Sequence, residues 1–215
     1  MNMKLTSNIV IQNTEINIKI SETQTITVYL NKDTGYLSII KNFNPNTGFP
    51  KILYKLDIDG EFNQPIIIPK DLYSLKIDGI FNQPIIIPDS IRELQISGEF
   101  NQPIILPSSV LTDFEIGGKF NQPIILPYGL ATVKICGKFN KPLILPITIY
   151  RVEIKGDFNQ SIIFPDALEY LEICGKYNKP LILPDNLINF ILDNEDNKYR
   201  DDIELYLNEL YLNIV

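Results

Sequence analysis

Hydrophobic and polar positions recur along this chain with a period just under 20 residues. Phe62, Phe81, Phe100, Phe120, Phe139 and Phe158, and finally Tyr177, each open the same string. An aromatic residue is followed by Asn, by Gln or Lys, by Pro (Ser161 in one copy), and by three apolar residues closed by a second Pro. The steps are 19, 19, 20, 19, 19 and 19 residues. A fixed period of this length marks a solenoid, in which each repeat is one coil that cannot bury its apolar side without its neighbours. Subtracting 19 from Phe62 gives Phe43, and Pro50, Leu53, Leu56, Ile58 and Gly60 then fall in register, so a worn copy precedes the clean ones. The pattern predicts about eight coils, starting at residues 43, 62, 81, 100, 120, 139, 158 and 177, within a mainly β solenoid over 43–195.

Two segments of each coil differ in kind. Leu72, Leu75, Ile77 and Gly79 form the first. The alternation from Leu75 to Ile77 predicts a short strand with one face inward. The second is Gln83-Pro84-Ile85-Ile86-Ile87-Pro88, an apolar run fenced by prolines. Proline cannot donate to a ladder, which predicts a second strand of about four residues. Three consecutive apolar residues cannot all point inward. Either the coil bends there or the middle Ile is half exposed on the outer face. The Phe column predicts a stacked aromatic spine, and the Asn column a ladder of buried amides. The Gly before each aromatic residue predicts a positive φ or a close backbone approach. One extra residue between Pro107 and Phe114 predicts a local bulge.

The ends depart from the repeat. In 1–42, Ile16, Ile18 and Ile20 alternate with polar residues, Thr25–Leu30 is a second β run, Asp33-Thr34-Gly35 signals a turn, and Tyr36–Ile40 is a third run. This predicts an N-terminal β cap, with Leu37 and Ile39 already in the strand register. In 196–215, Ile203, Leu207, Leu210, Tyr211 and Ile214 make one helical stripe behind Asp201 and Asp202. That predicts a C-terminal capping helix, or alternatively a helix offered to a partner or a second copy.

Charge narrows the function classes. The net charge of −7 opposes binding to a phosphate backbone. Lys119, Lys138, Lys155 and Lys176 would be the stripe such binding needs, without an aromatic column to stack bases. Cys136 and Cys174 sit two coils apart, about 9–10 Å at the usual strand spacing. That is beyond the roughly 7 Å reach of a disulfide, which predicts free thiols in a reducing compartment. The first 21 residues lack an apolar signal core, and no run of about 20 apolar residues could span a membrane. A cytoplasmic protein is expected.

The string Phe-Asn-Gln-Pro-Ile, with Ile/Leu-Pro following, closely resembles the FNIP repeat over roughly residues 43–192. The Pro-x-x-Leu-x-x-Leu-x-Ile portion is similar to short leucine-rich repeats. The resemblance implies a leucine-rich-repeat-like, right-handed β-solenoid and a protein-interaction role. Such proteins occur mostly in amoebae and in the giant viruses that infect them, which would place a viral member in the host cytoplasm. The family often joins these repeats to an F-box that docks on a ubiquitin ligase. No F-box is legible here.

In a solenoid the scaffold columns repeat and the recognition columns vary. One variable column reads Asp57, Lys76, Gln95, Glu115, Lys134, Glu153 and Glu172. The next includes Asp59, Asp78 and Lys155, and a third runs from Glu61 through Glu99 and Lys119 to Lys176. Together they predict a polar face that binds a protein partner. Lys–Glu pairing between neighbouring strands is the competing reading. The chain holds no histidine, the commonest general base and metal ligand. Asp57, Asp59 and Asp78 would be the carboxylates for a divalent cation, but a solvated acidic patch is the simpler account. No enzyme, no cofactor and no catalytic residue is expected. A self-associating structural protein is the alternative function.

Overall fold

The computed structural model describes residues 14–21, 24–31, 36–39, 49, 53–108, 110–193 and 198–199. One sheet holds eleven strands, β1 to β11, in strict chain order. β1 (Thr14–Ser21), β2 (Gln24–Asn31) and β3 (Tyr36–Ile39) pair antiparallel. β3 then pairs parallel with β4 (Lys55–Ile58), with Leu37 opposite Leu56 and Ile39 opposite Ile58. That is the register expected for those two residues. The turn at Asp33-Thr34-Gly35 and the C-terminal helix lie outside the described residues.

From β4 onward every strand is parallel to the last: β5 (Ser74–Ile77), β6 (Glu93–Ile96), β7 (Asp113–Ile116), β8 (Thr132–Ile135), β9 (Arg151–Ile154), β10 (Tyr170–Cys174) and β11 (Asn189–Asp193). About seven turns of a leucine-rich-repeat-like parallel β-solenoid result. The extra residue after Pro107 never reaches the sheet. Glu93 still faces Asp113 and Ile96 still faces Ile116, so it is absorbed before β7 begins.

The aromatic column runs through the interior. Phe62, Phe81, Phe100, Phe120, Phe139, Phe158 and Tyr177 are at most 1 % exposed. Successive rings are stacked with centroids 5.9–6.2 Å apart. The glycines supply the corner. Gly118 has φ +56°, and a Cβ built on it would lie 2.2 Å from the Gly98 carbonyl oxygen. The absence of a side chain lets consecutive corners nest, and Lys119 N–H donates to the Gly98 carbonyl at 2.8 Å.

The Asn column forms the expected ladder, but half-buried to exposed, not buried. Each Asn Oδ1 accepts the backbone N–H of the Asn one coil on, at 2.9–3.0 Å from Asn63 to Asn178. Lys198 N–H continues it onto Asn178 at 3.2 Å. The Gln beside it adds a second tie: Gln102 Nε2 donates to the Asn82 carbonyl at 3.1 Å. A side-chain amide spans a gap too wide for a direct backbone bond, which explains why this column bonds through Oδ1.

The second strand did not form. Among the described residues no backbone hydrogen bond joins one Pro-Ile-Ile-Ile segment to the next. Proline removes one donor, and the coils are spread there. The aromatic rings stand about 6 Å apart, whereas bonded strands lie about 4.8 Å apart. The solenoid is therefore drawn together along the sheet and fanned along the Pro-Ile side, so the sheet face is concave. The middle isoleucine is not half exposed. Ile67, Ile86, Ile105, Ile125, Ile144, Ile163 and Ile182 are 86–89 % exposed, while the residues on either side, such as Ile66 and Ile68, turn inward.

Candidate interaction face

Strand alternation places the variable residues. In β5, Leu75 and Ile77 are buried and Ser74 and Lys76 half-buried, facing out. The same alternation in β4 to β9 lines up Asp57, Lys76, Gln95, Glu115, Lys134 and Glu153 across the sheet, with Glu172 next on β10. The first six of these line a groove of about 780 Å³ over the concave sheet. Glu172 lies beyond its end. Asp59, Asp78 and Lys155 lie outside its wall. Asp59 and Asp78 turn back instead, each accepting the N–H of its own following glycine, at 2.6 Å on Gly60 and 2.8 Å on Gly79. They do not converge with Asp57, and among the described residues no three acidic or thiol groups are grouped as metal ligands would be.

A second lining column was not singled out from the sequence. Lys55, Ser74, Glu93, Asp113, Thr132 and Arg151 stand at the first strand position and face the same groove. The period of two, carried one step upstream of the inward Leu, was the signal for them.

Charge divides the face along its length. Toward the C-terminal end, Glu153 is only 4 % exposed. Arg151 holds its Oε1 at 2.8 Å, Lys155 its Oε2 at 3.0 Å, and Lys134 lies at 3.5 Å. Burial pushes this carboxyl up, but the hydrogen bonds from Arg151 and Lys155 and the pull of Lys134 leave it below the usual value. Lys155 also holds Glu172 at 2.9 Å. Its bonds to Glu172 and Glu153 raise its own pKa. Arg151 stacks over the Tyr170 ring at 3.8 Å. Lys134 reaches Glu115 at 3.8 Å, and Gln95 donates to Glu115 at 3.1 Å. The interstrand pairing anticipated as the competing reading is thus realised from β7 to β10. Toward the N-terminal end Lys55 lies 3.5 Å from Glu93 and Lys76 3.9 Å from Asp78.

The lysine stripe is largely matched. Lys119 meets Glu99 at 2.5 Å and Lys176 meets Asp157 at 2.6 Å, while Lys155 is held as above. Both cysteines are free thiols. Burial first, and the charge of Glu115, raise Cys136; burial and a hydrogen bond to Glu172 raise Cys174. Such thiols are poor nucleophiles. No described helix is long and apolar enough to cross a membrane.

A family model described as FNIP Repeat matches residues 81–112. No curated protein matches the chain. Among solved structures it is similar to a giant-virus protein described as "CroV588 a novel circular LRR protein structure", with a TM-score of 0.54 and 25 % identity. The likeness covers 73 % of this chain and 29 % of that one, so this chain spans under a third of its neighbour. Residues 81–112 thus match the FNIP repeat, and they lie on a parallel solenoid similar to that of a leucine-rich-repeat protein.

Proposed function

We propose that the chain is a non-catalytic protein-interaction module that binds its partner across the concave sheet, as an adaptor or scaffold. The observation that carries this reading is the groove of about 780 Å³ whose lining varies from coil to coil above a scaffold that does not. A repeating scaffold fixes side chains at regular intervals, and the non-repeating ones are left to choose the partner. The N-terminal half is the recognition half. Lys55, Lys76 and Gln95 hold long or single contacts there, so a partner can compete for them at small cost. The residues around Glu153 serve as a rigid floor.

The reading extends to a cytoplasmic protein without a cofactor. Recruitment of a target to ubiquitin machinery is its most specific form, supported by the repeat type alone. The test is capture from amoebal lysate with the full chain, followed by mass spectrometry. The double variant Lys55→Glu/Lys76→Glu should lose the captured protein while keeping the wild-type circular dichroism spectrum. Equal capture by wild type and variant would remove the concave face from the proposal.

A further inference from the structure

The convex side carries a surface that the concave reading does not use. In six of the seven coils from Phe62 on, the first Pro and the middle Ile face solvent two positions apart, and Ser161 replaces the Pro in the coil starting at 158, so two largely apolar columns run side by side. The position after the second Pro sets the width of the stripe. In the outer coils it is charged, as Lys70, Asp89, Asp166 and Asp185, and in the coil starting at 100 it is Ser108. In the coils starting at 120 and 139 it is Tyr128, 71 % exposed, and Ile147, 69 % exposed. Beside them Ile125 and Ile144 are 89 % and 88 % exposed. The apolar patch is therefore widest at the centre of the solenoid and bounded by charge at both ends.

We infer that this patch is a homodimer interface, occupied by the same patch of a second copy. Three observations point to that occupant. First, an apolar centre inside a polar rim is the anatomy of a protein interface. The nine exposed apolar side chains of the coils starting at 100, 120, 139 and 158 supply on the order of 800 Å², the share each partner contributes to a standard stable interface and more than a monomer ordinarily exposes in one patch. Second, the exposed Ile recurs once per coil at a single pitch. A comb of constant pitch is matched by another comb of the same pitch, and a second copy has that pitch by construction. Third, the flanks suit a parallel pairing. One flank is Gln or Lys in every coil, and the other is acidic at Asp89, Asp166 and Asp185. A two-fold axis along the stripe sets Gln160 of each copy against Asp166 of the other and opposes no like charges. The convex curvature centres the contact on the coils starting at 120 and 139, where that flank is Tyr128 and Ile147.

Sedimentation velocity on the full chain from about 1 to 100 µM, the range of such interfaces, tests this. The wild-type chain should show a concentration-dependent dimer. Ile125→Glu/Ile144→Glu should weaken it at least about tenfold, as expected for the centre of a contact. The end-coil variant Ile67→Glu should weaken it less than about threefold. All three residues are exposed, so thermal melts of the variants should match wild type. A chain monomeric throughout, or a dimer indifferent to the central pair, overturns the inference. Flotation of monomeric chain with phosphatidylcholine vesicles, lost in the central variant, would overturn it in favour of a lipid surface.

Discussion

The two long sides of this solenoid are both rich in β-branched and apolar residues and end up opposite in character. On the concave side, Leu75-x-Ile77 and its equivalents hydrogen-bond coil to coil and turn polar residues outward. On the convex side, Pro84-Ile85-Ile86-Ile87 has no such bonds and turns Pro and Ile outward. Bonded strands fix one spacing, about 4.8 Å. The aromatic spine stands wider, with centroids close to 6 Å apart. One stack cannot satisfy both spacings unless it fans, and proline settles which side opens by withdrawing donors there. The lesson is that strand-like sequence makes a sheet only where the coil spacing permits.

The comparison can be broken where the two sides meet. Gly118→Ala should have the largest effect. It places a Cβ 2.2 Å from the Gly98 carbonyl oxygen at φ +56°, and should cost about 3–5 kcal/mol in urea unfolding. A cost under about 1 kcal/mol would mean that the corners do not nest. Asn121→Ala comes next. It removes the acceptor for Asn140 N–H at 3.0 Å on the side with no backbone ladder, and should cost about 1–3 kcal/mol.

Glu153→Gln sharpens the concave side. The folded carboxyl lies below its ordinary value of 4.5. A depressed carboxyl stabilises the fold fully above the ordinary value and loses that contribution as pH falls through the folded one. The variant should therefore be about 1–2 kcal/mol less stable than wild type near neutrality, a modest cost because its cationic partners face solvent. The difference should close below pH 4.5. A gap independent of pH would assign the loss to packing. The smallest effect belongs to Ile86→Ser. At 86 % exposure it should shift stability within about 0.5 kcal/mol. Its neighbour Ile87, 6 % exposed, should lose about 2–4 kcal/mol when changed to Ala.

The candidate face was partly legible for the same reason. Column membership of Asp57, Lys76 and Glu115 follows from counting in nineteens and twenties, and the register bears it out. That Asp59 and Asp78 would close on their own glycines, and leave the face, depended on the corner geometry. That Glu153 would sink beneath three cations depended on which residues stand on β8 and β9 at once.

By itself the sequence determined the period, the inward residues, the aromatic file, the amide ladder and the glycine corners, because each is a local demand repeated once per coil. Only the tertiary structure decided how far apart the coils stand on each side. Spacing is set between neighbouring coils, by the hydrogen bonds that form on one side and the donors missing on the other, and no single coil contains it. That spacing kept Pro-Ile-Ile-Ile from bonding as a second strand, while its middle Ile stands out from the convex side.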